Sequence, residues 1–408
     1  MNKSIVNFSL RHFVVASFGF FFVIWGTSWT FPIINIPYSY LWLGFSILCL
    51  FFFNDHKFKK HELSIFSLIG LVITFYFVLG IPESISSDRP NADTIYLTTY
   101  YLKYILGFVT FCAFLNVIKR EEDLTIFLVT ASFLVILIVG FLAWKYLVVY
   151  ELDYIGVIVD DALRGLKSFK NSLATALALL APLLFAGFSK DHRYRTLFLL
   201  ALFAVLFFMY WVNSRSALII LFLEFLVFLF LSKSKSVKRG VRLGVFAVFL
   251  GLIATGFSVN EWIKKSGSYS DSGYQLVVKE SLLQTHRGKL LIDALEGTYE
   301  TAGLGSGLST FRIRPNNEGS RTDTHNDYAL LLYEQGILGF GLITYLLLWR
   351  IYISIKLARV LDNRYVEASV ASLLGLFISM MFINIIQTSI FWALIALNYS
   401  IIKIYKDR

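Results

Sequence analysis

The sequence predicts an all-α, polytopic membrane protein, and two observations carry that reading. The first is composition: 57% of the 408 residues are hydrophobic and 16% are charged, with a mean hydropathy of +0.67. No single soluble core could hide that much apolar surface. The second is that apolar runs long enough to cross about 30 Å of hydrocarbon recur from one end of the chain to the other.

The runs fall near residues 13–30, 38–53, 63–80, 94–115, 124–147, 171–188, 196–212, 216–231, 241–258, 328–354, 367–385 and 390–404, about twelve in all. The first follows Lys3 and Arg11, lacks an obvious small-residue cleavage site, and meets the second run almost at once, so it reads as an uncleaved helix. Lys57, Lys59 and Lys60 separate the second and third runs, Arg89 the third and fourth, and Lys119 and Arg120 the fourth and fifth. A loop over 148–170 leads to the sixth run, and Lys190, Arg193 and Arg195 follow it. The seventh and eighth meet in a tight turn holding Arg215, and Lys233, Lys235, Lys238, Arg239 and Arg242 introduce the ninth. One long polar stretch, 259–327, precedes the tenth run; Lys356, Arg359 and Arg364 follow that run, and the chain closes on Lys406 and Arg408.

Basic residues therefore fill alternate loops, and cytoplasmic loops carry that excess. Both termini are expected in the cytoplasm, with the 148–170 and 259–327 stretches facing outward. The predicted organisation is a membrane bundle over 1–258, an outer segment over 259–327 and closing membrane helices over 328–408. The outer segment is too short to be more than a cap on the bundle.

The net charge of +10 is largely accounted for by this pattern, which removes the argument for a nucleic-acid partner. Cys49 and Cys112 lie within apolar runs, where a thiol behaves as a small hydrophobe, and neither belongs to a metal-ligand spacing. There is no HExxH, no Cys/His cluster for zinc and no carboxylate pair with glycosidase spacing, so neither metal nor cofactor is predicted. No fixed-period repeat or inverted duplication stands out.

Four groups carry candidate chemistry. Trp211-Val-Asn-Ser-Arg-Ser-Ala217 sets Arg215 at the outer membrane boundary, where a guanidinium either anchors a helix end in the headgroups or binds an anion. Asn213, Ser214 and Ser216 add polar groups beside it, a setting that suits a phosphate. Residues 284–299 read as an amphipathic outer helix, with Leu291, Leu295 and Tyr299 at four-residue spacing. Its Arg287, with His286 and Lys289, either attracts headgroups or faces Arg215 across a cleft and grips a diphosphate.

Gly303-Leu-Gly-Ser-Gly307 follows, read as a helix C-cap and flexible turn or as a set of N–H groups open to an anion. Finally His325 sits among Asp323, Thr324, Asn326 and Asp327, any of which can cap the helix beginning near Tyr328. Positive charge from a helix N-terminus and the arginines favours a neutral imidazole, while Asp323 or Asp327 opposes that and orients the ring. A plain polar loop residue is the alternative for this histidine. Lys103, Lys145 and Glu224 lie in or near apolar runs; Lys145 is placed to snorkel, and Lys103 and Glu224 are candidates to pair or to line a lipid path.

The order Asn213-Ser-Arg-Ser-Ala217, Arg287, Gly303-Leu-Gly-Ser-Gly307, His325-Asn-Asp-Tyr and Glu334-Gln-Gly-Ile-Leu-Gly339 resembles the O-antigen ligase and O-antigen polymerase superfamily of bacterial envelope glycosyltransferases. The likeness covers roughly Trp211 to Phe340, while the first half matches only in its run of spans. It implies a GT-C-like helical membrane enzyme in the bacterial inner membrane, its site facing the periplasm. It further implies metal-independent, inverting transfer of a glycan from undecaprenyl diphosphate to a sugar hydroxyl. The acceptor is the lipid A core in ligases and another carrier-linked repeat in polymerases. By the same resemblance His325 is the base and Arg215 and Arg287 bind diphosphate; Asn213, Ser214, Asp323 and Asn326, as polar neighbours, are read as supporting them. One outer segment in a short chain favours ligase.

The chemistry suits these residue types independently. Two guanidiniums neutralise the charge developing on a diphosphate leaving group, and a positioned base raises the acceptor hydroxyl's reactivity by about 10²- to 10⁴-fold. Competing readings are a lipid or polysaccharide transporter, whose site would lie near the midplane, and a partner-binding cap on an inert anchor.

Overall fold

The computed structural model describes residues 10–25, 44–46, 48, 60–144, 164–190, 193–212, 214–254, 286–314 and 324–407, and the regular structure among them is entirely helical. The elements are α1 (Leu10–Trp25), α2 (Lys60–Ser86), α3 (Pro90–Val117), α4 (Glu121–Ala143), α5 (Arg164–Lys190), α6 (Arg195–Trp211) and α7 (Arg215–Leu231). They continue as α8 (Lys235–Ala254), α9 (His286–Glu300), α10 (Thr310–Ile313), α11 (Asp327–Leu361), α12 (Arg364–Ser379) and α13 (Ser389–Lys406).

Helices stand on every predicted run except 38–53, most of which lies outside the described residues. Among the described residues five stretches are both long and apolar enough to cross a membrane: Ser64–Ser86, Pro90–Val117, Glu121–Ala143, Asn171–Ser189 and Asp327–Leu361. Of the others, α6 and α7, with 17 residues each, are within a residue of their predicted runs, whereas α12, with 16, is shorter than its own. The run over 367–385 shows why. Its helix stops at Ser379, and residues 380–388 form turns whose Ile385 and Ile386 N–H groups donate to the Asp327 carboxylate at 2.7 and 2.9 Å. A buried acceptor from another helix replaces the intrahelical carbonyls that apolar composition alone would have assigned.

Side-chain caps fix several starts. Asp123 Oδ2 accepts from the Lys119 and Arg120 N–H groups at the head of α4, whose first turn also holds Glu121 and Glu122. Asn363 Oδ1 accepts from Tyr365 N at 2.9 Å to start α12, and Pro90 occupies the first turn of α3, where no N–H is needed.

Long-range bonds show which helix ends lie together. At one end Arg11 pairs with Asp123 (2.6 Å), Lys233 Nζ donates to Arg359 O (2.8 Å) and Arg364 donates to Ser189 O. The basic loops thus share this end. Inside the bundle α3 packs closely on α13, where Gly107 leaves room for the Trp392 indole: a Cβ there would lie 2.1 Å from the ring. Arg350, missed in the sequence, is buried between α11 and α13. Its Nε donates to Asn398 Oδ1 at 2.6 Å while its guanidinium lies 3.3 Å from the Tyr399 ring centroid.

Candidate active site at helix N-termini

The opposite end of the bundle holds the candidate residues, each at the start of its own helix. Arg215 is the first residue of α7 and half-buried. Ser214 before it is buried and donates its hydroxyl to Asn171 Oδ1 on α5 at 3.3 Å, which locks the hairpin from α6 into the bundle. Arg287 lies in the first turn of α9, exposed, yet neighbouring chain desolvates its guanidinium enough to lower its pKa. Asn213 and Asp323 lie outside the described residues, as do Lys145 and the loop over 148–163.

His325 is exposed and takes a left-handed backbone conformation, φ +52°, immediately before the cap of α11. The residues around it hold that shape. Thr324 Oγ1 donates to Asn326 O at 2.8 Å and accepts from Asn326 N at 3.2 Å, and the Asn326 side chain accepts from Ala329 N at 3.1 Å. Of the residues that could cap this helix, Asn326 does so. Asp327 instead points its Oδ2 into the 380–388 turns and donates its own N–H to Met380 O at 2.8 Å. Asp327 anchors the histidine loop to the bundle, and His325 stands just before the N-terminus of α11, an end that carries partial positive charge.

The glycine segment is neither a flexible turn nor an open anion nest. It closes α9, with the Gly303 N–H donating to Thr298 O at 2.9 Å, and then inserts between α2 and α11. Ser306 and Gly307 donate to the Tyr333 and Glu334 carbonyls at 2.9 and 3.0 Å, and Ile337 donates back to Gly303 O at 2.9 Å. On the other side Leu308 N donates to Tyr76 O at 2.7 Å and Tyr76 Oη donates to Leu304 O at 2.7 Å. Gly336 (φ +60°, ψ −167°) breaks α11 at the point of insertion, freeing the backbone groups that the segment pairs. Irregular backbone between membrane helices needs such pairing, since no water is there to supply it. The segment of Glu334 to Gly339 and the glycine turn, two motifs well separated in sequence, are therefore the two halves of one joint.

A polar cluster that the sequence did not single out flanks this joint. Arg314 grips Glu83, at the end of α2, in a two-pronged pair of 2.7 and 3.0 Å, and the carboxylate raises the arginine's pKa further. Arg312 sits 4.4 Å from the Tyr96 ring centroid and donates to its hydroxyl at 2.9 Å. The signal was faint: one acidic residue near the end of an apolar run, and two arginines at i and i+2 in the outer segment.

Of the charges within spans, Lys103 and Glu224 do not pair. Lys103 is exposed on α3, whereas Glu224 is fully buried on α7 against Gly375 of α12, and neither carboxyl oxygen has a hydrogen-bond partner among the described residues. Arg215, Arg287 and His325 share one end of the bundle through the packing of α9 on α11 and of both α7 and α11 on α12. None of the three lines either described cavity.

Residues 197–344 match the family described as O-antigen ligase. Over these residues the chain is similar to that family. The matched region runs from the start of α6 to the middle of α11 and contains Arg215, Arg287, the glycine joint and His325. No curated protein matches the chain at a significant level. Several helices apolar enough to span a membrane, together with this match, support a multi-pass membrane protein whose region over 197–344 is of the O-antigen ligase and polymerase type.

Proposed function

We propose that the protein is an O-antigen ligase: a metal-independent, inverting glycosyltransferase that moves a glycan from undecaprenyl diphosphate to a sugar hydroxyl of the lipid A core at the periplasmic face. The observation that carries this reading is His325, exposed and held in a left-handed turn at the head of α11, within the region similar to the O-antigen ligase family. In this mechanism the imidazole takes the proton of the acceptor hydroxyl as the oxygen attacks the anomeric carbon. Arg215 and Arg287, each at a helix start where N–H groups and the macrodipole favour an anion, bind the diphosphate as its bond to the sugar breaks. Attack from the face opposite the departing phosphate inverts the anomeric centre.

The test uses His325→Asn, because asparagine tolerates left-handed backbone and so removes the imidazole without disturbing the turn. A strain carrying only this variant is expected to show bare core and accumulated carrier-linked polymer. Core bearing a single repeat would assign the protein as a polymerase, and normal surface glycan would reject the base. Conversion of purified carrier-linked donor and acceptor in detergent, without gradient or ATP, separates catalysis from transport.

A further inference from the structure

The other end of the bundle holds a groove that the reaction does not use. It lies between α7 and α8, encloses about 360 Å³ and is lined by Phe222, Leu229, Val245, Phe246 and Phe249 with one charged residue, Arg242. The sequence of α8 places these groups in a fixed order along one face. Lys238 and Arg239 lie four and three residues before Arg242; Val245 and Phe246 lie three and four after it, and Phe249 seven after it. Residues at those offsets share a face of a helix. The face therefore runs from cationic to aromatic along the helix axis, beginning at the end of the bundle where the basic loops gather.

The opposite face of α8 is committed to packing. Val241 and Val248 are buried, and a Cβ on Gly240 or Gly244 would meet the rings of Phe185 or Phe225 at 3.0 and 3.3 Å. The groove face cannot be swallowed by rotating the helix without exposing these contacts. An apolar trough within hydrocarbon, open at its side and headed by guanidiniums, matches a molecule with an anionic head and hydrocarbon tails.

We propose that this groove binds an anionic phospholipid of the leaflet on the basic side, its phosphate at Arg242 and an acyl chain along Phe246 and Phe249 against α7. The site is independent of the glycosyl-transfer reading, because it shares no residue with it.

The full chain, purified in detergent and titrated with phosphatidylglycerol or phosphatidylethanolamine, is assayed by native mass spectrometry for retained lipid. The wild type is expected to retain phosphatidylglycerol at least about fivefold more tightly, the preference expected for one cationic contact with an anionic lipid. Arg242→Gln should lose that preference and Arg242→Lys keep it; Val245→Trp, which fills the trough and leaves the cations in place, should lose both lipids. Equal retention of the two lipids by the wild type, or unchanged phosphatidylglycerol retention in both Arg242→Gln and Val245→Trp, would overturn the proposal. So would full displacement of the lipid by millimolar inorganic phosphate, which would make the site one for a free anion.

Discussion

Gly303 and Gly336 meet backbone to backbone. A Cβ on Gly336 would lie 2.4 Å from the Gly303 carbonyl oxygen, the same oxygen that accepts the Ile337 N–H at 2.9 Å. The contact joins the turn after α9 to the break in α11, so the arginine helix and the histidine helix are held in one register. Gly80 makes the equivalent approach from α2, where a Cβ would lie 2.6 Å from Leu308 O.

Gly336→Ala should therefore destabilise the protein strongly. Its φ and ψ belong almost only to glycine, a strain of about 1–3 kcal/mol before the clash with Gly303 is counted. Gly341→Ala is the control, since nothing lies within 4 Å of the Cβ position there, and a helical glycine replaced by alanine gains roughly 0.5–1 kcal/mol. Thermal melts in detergent should separate the two; a shared melting temperature would show that the joint bears no strain.

His325→Gly should leave melting unchanged or raised while abolishing transfer. The native φ of +52° is strained for histidine and costs glycine nothing. Retained transfer activity in this variant would remove the imidazole from the chemistry, and a lower melting temperature would make the residue structural.

Asn326→Ala should cost about 1 kcal/mol through loss of the α11 cap, and should lower activity only as far as the histidine loop loosens. Activity measured below the variant's melting transition is expected to fall much less than in His325→Asn. Equal losses would mean that loop order, rather than the imidazole, limits the reaction.

Glu83 and Arg314 are coupled across 231 residues of sequence, but the arginine is 45% exposed, so solvent screens the pair. A double-mutant cycle with Glu83→Gln and Arg314→Gln should give about 0.2–1 kcal/mol, shrinking at high salt. Because the guanidinium's pKa is raised, the arginine's share of this coupling is present below its ordinary titration range and is lost only as pH rises through the raised value. Coupling measured at pH 7 and pH 9 should therefore be the same.

Gly375 gives Glu224 its space: a Cβ there would come within 1.9 Å of Oε1. Gly375→Ala alone should cost about 1–3 kcal/mol by overpacking, and the double variant Glu224→Ala with Gly375→Ala should cost less than the sum of the two singles. Additive losses would show that α7 and α12 separate to accommodate the methyl group.

The sequence by itself determined the helical membrane class, the positions of the apolar helices and the order of the candidate motifs. Each of these is local: a helix follows from a run of apolar residues and a cap, and the distribution of Lys and Arg is visible loop by loop. Arg215 and His325 were legible as candidates for the same reason, as polar groups at the edges of apolar runs, and Arg287 as a cation opening the amphipathic helix of the outer segment. The tertiary structure alone decided that the glycine turn and Gly336 form one joint, that Glu83 meets Arg314, and that Asp327 satisfies the turns which shorten α12. It also decided that Glu224 faces Gly375 rather than Lys103. In each case the deciding partner lies on another helix, and the contact depends on how closely two backbones approach, which no periodicity within either segment records.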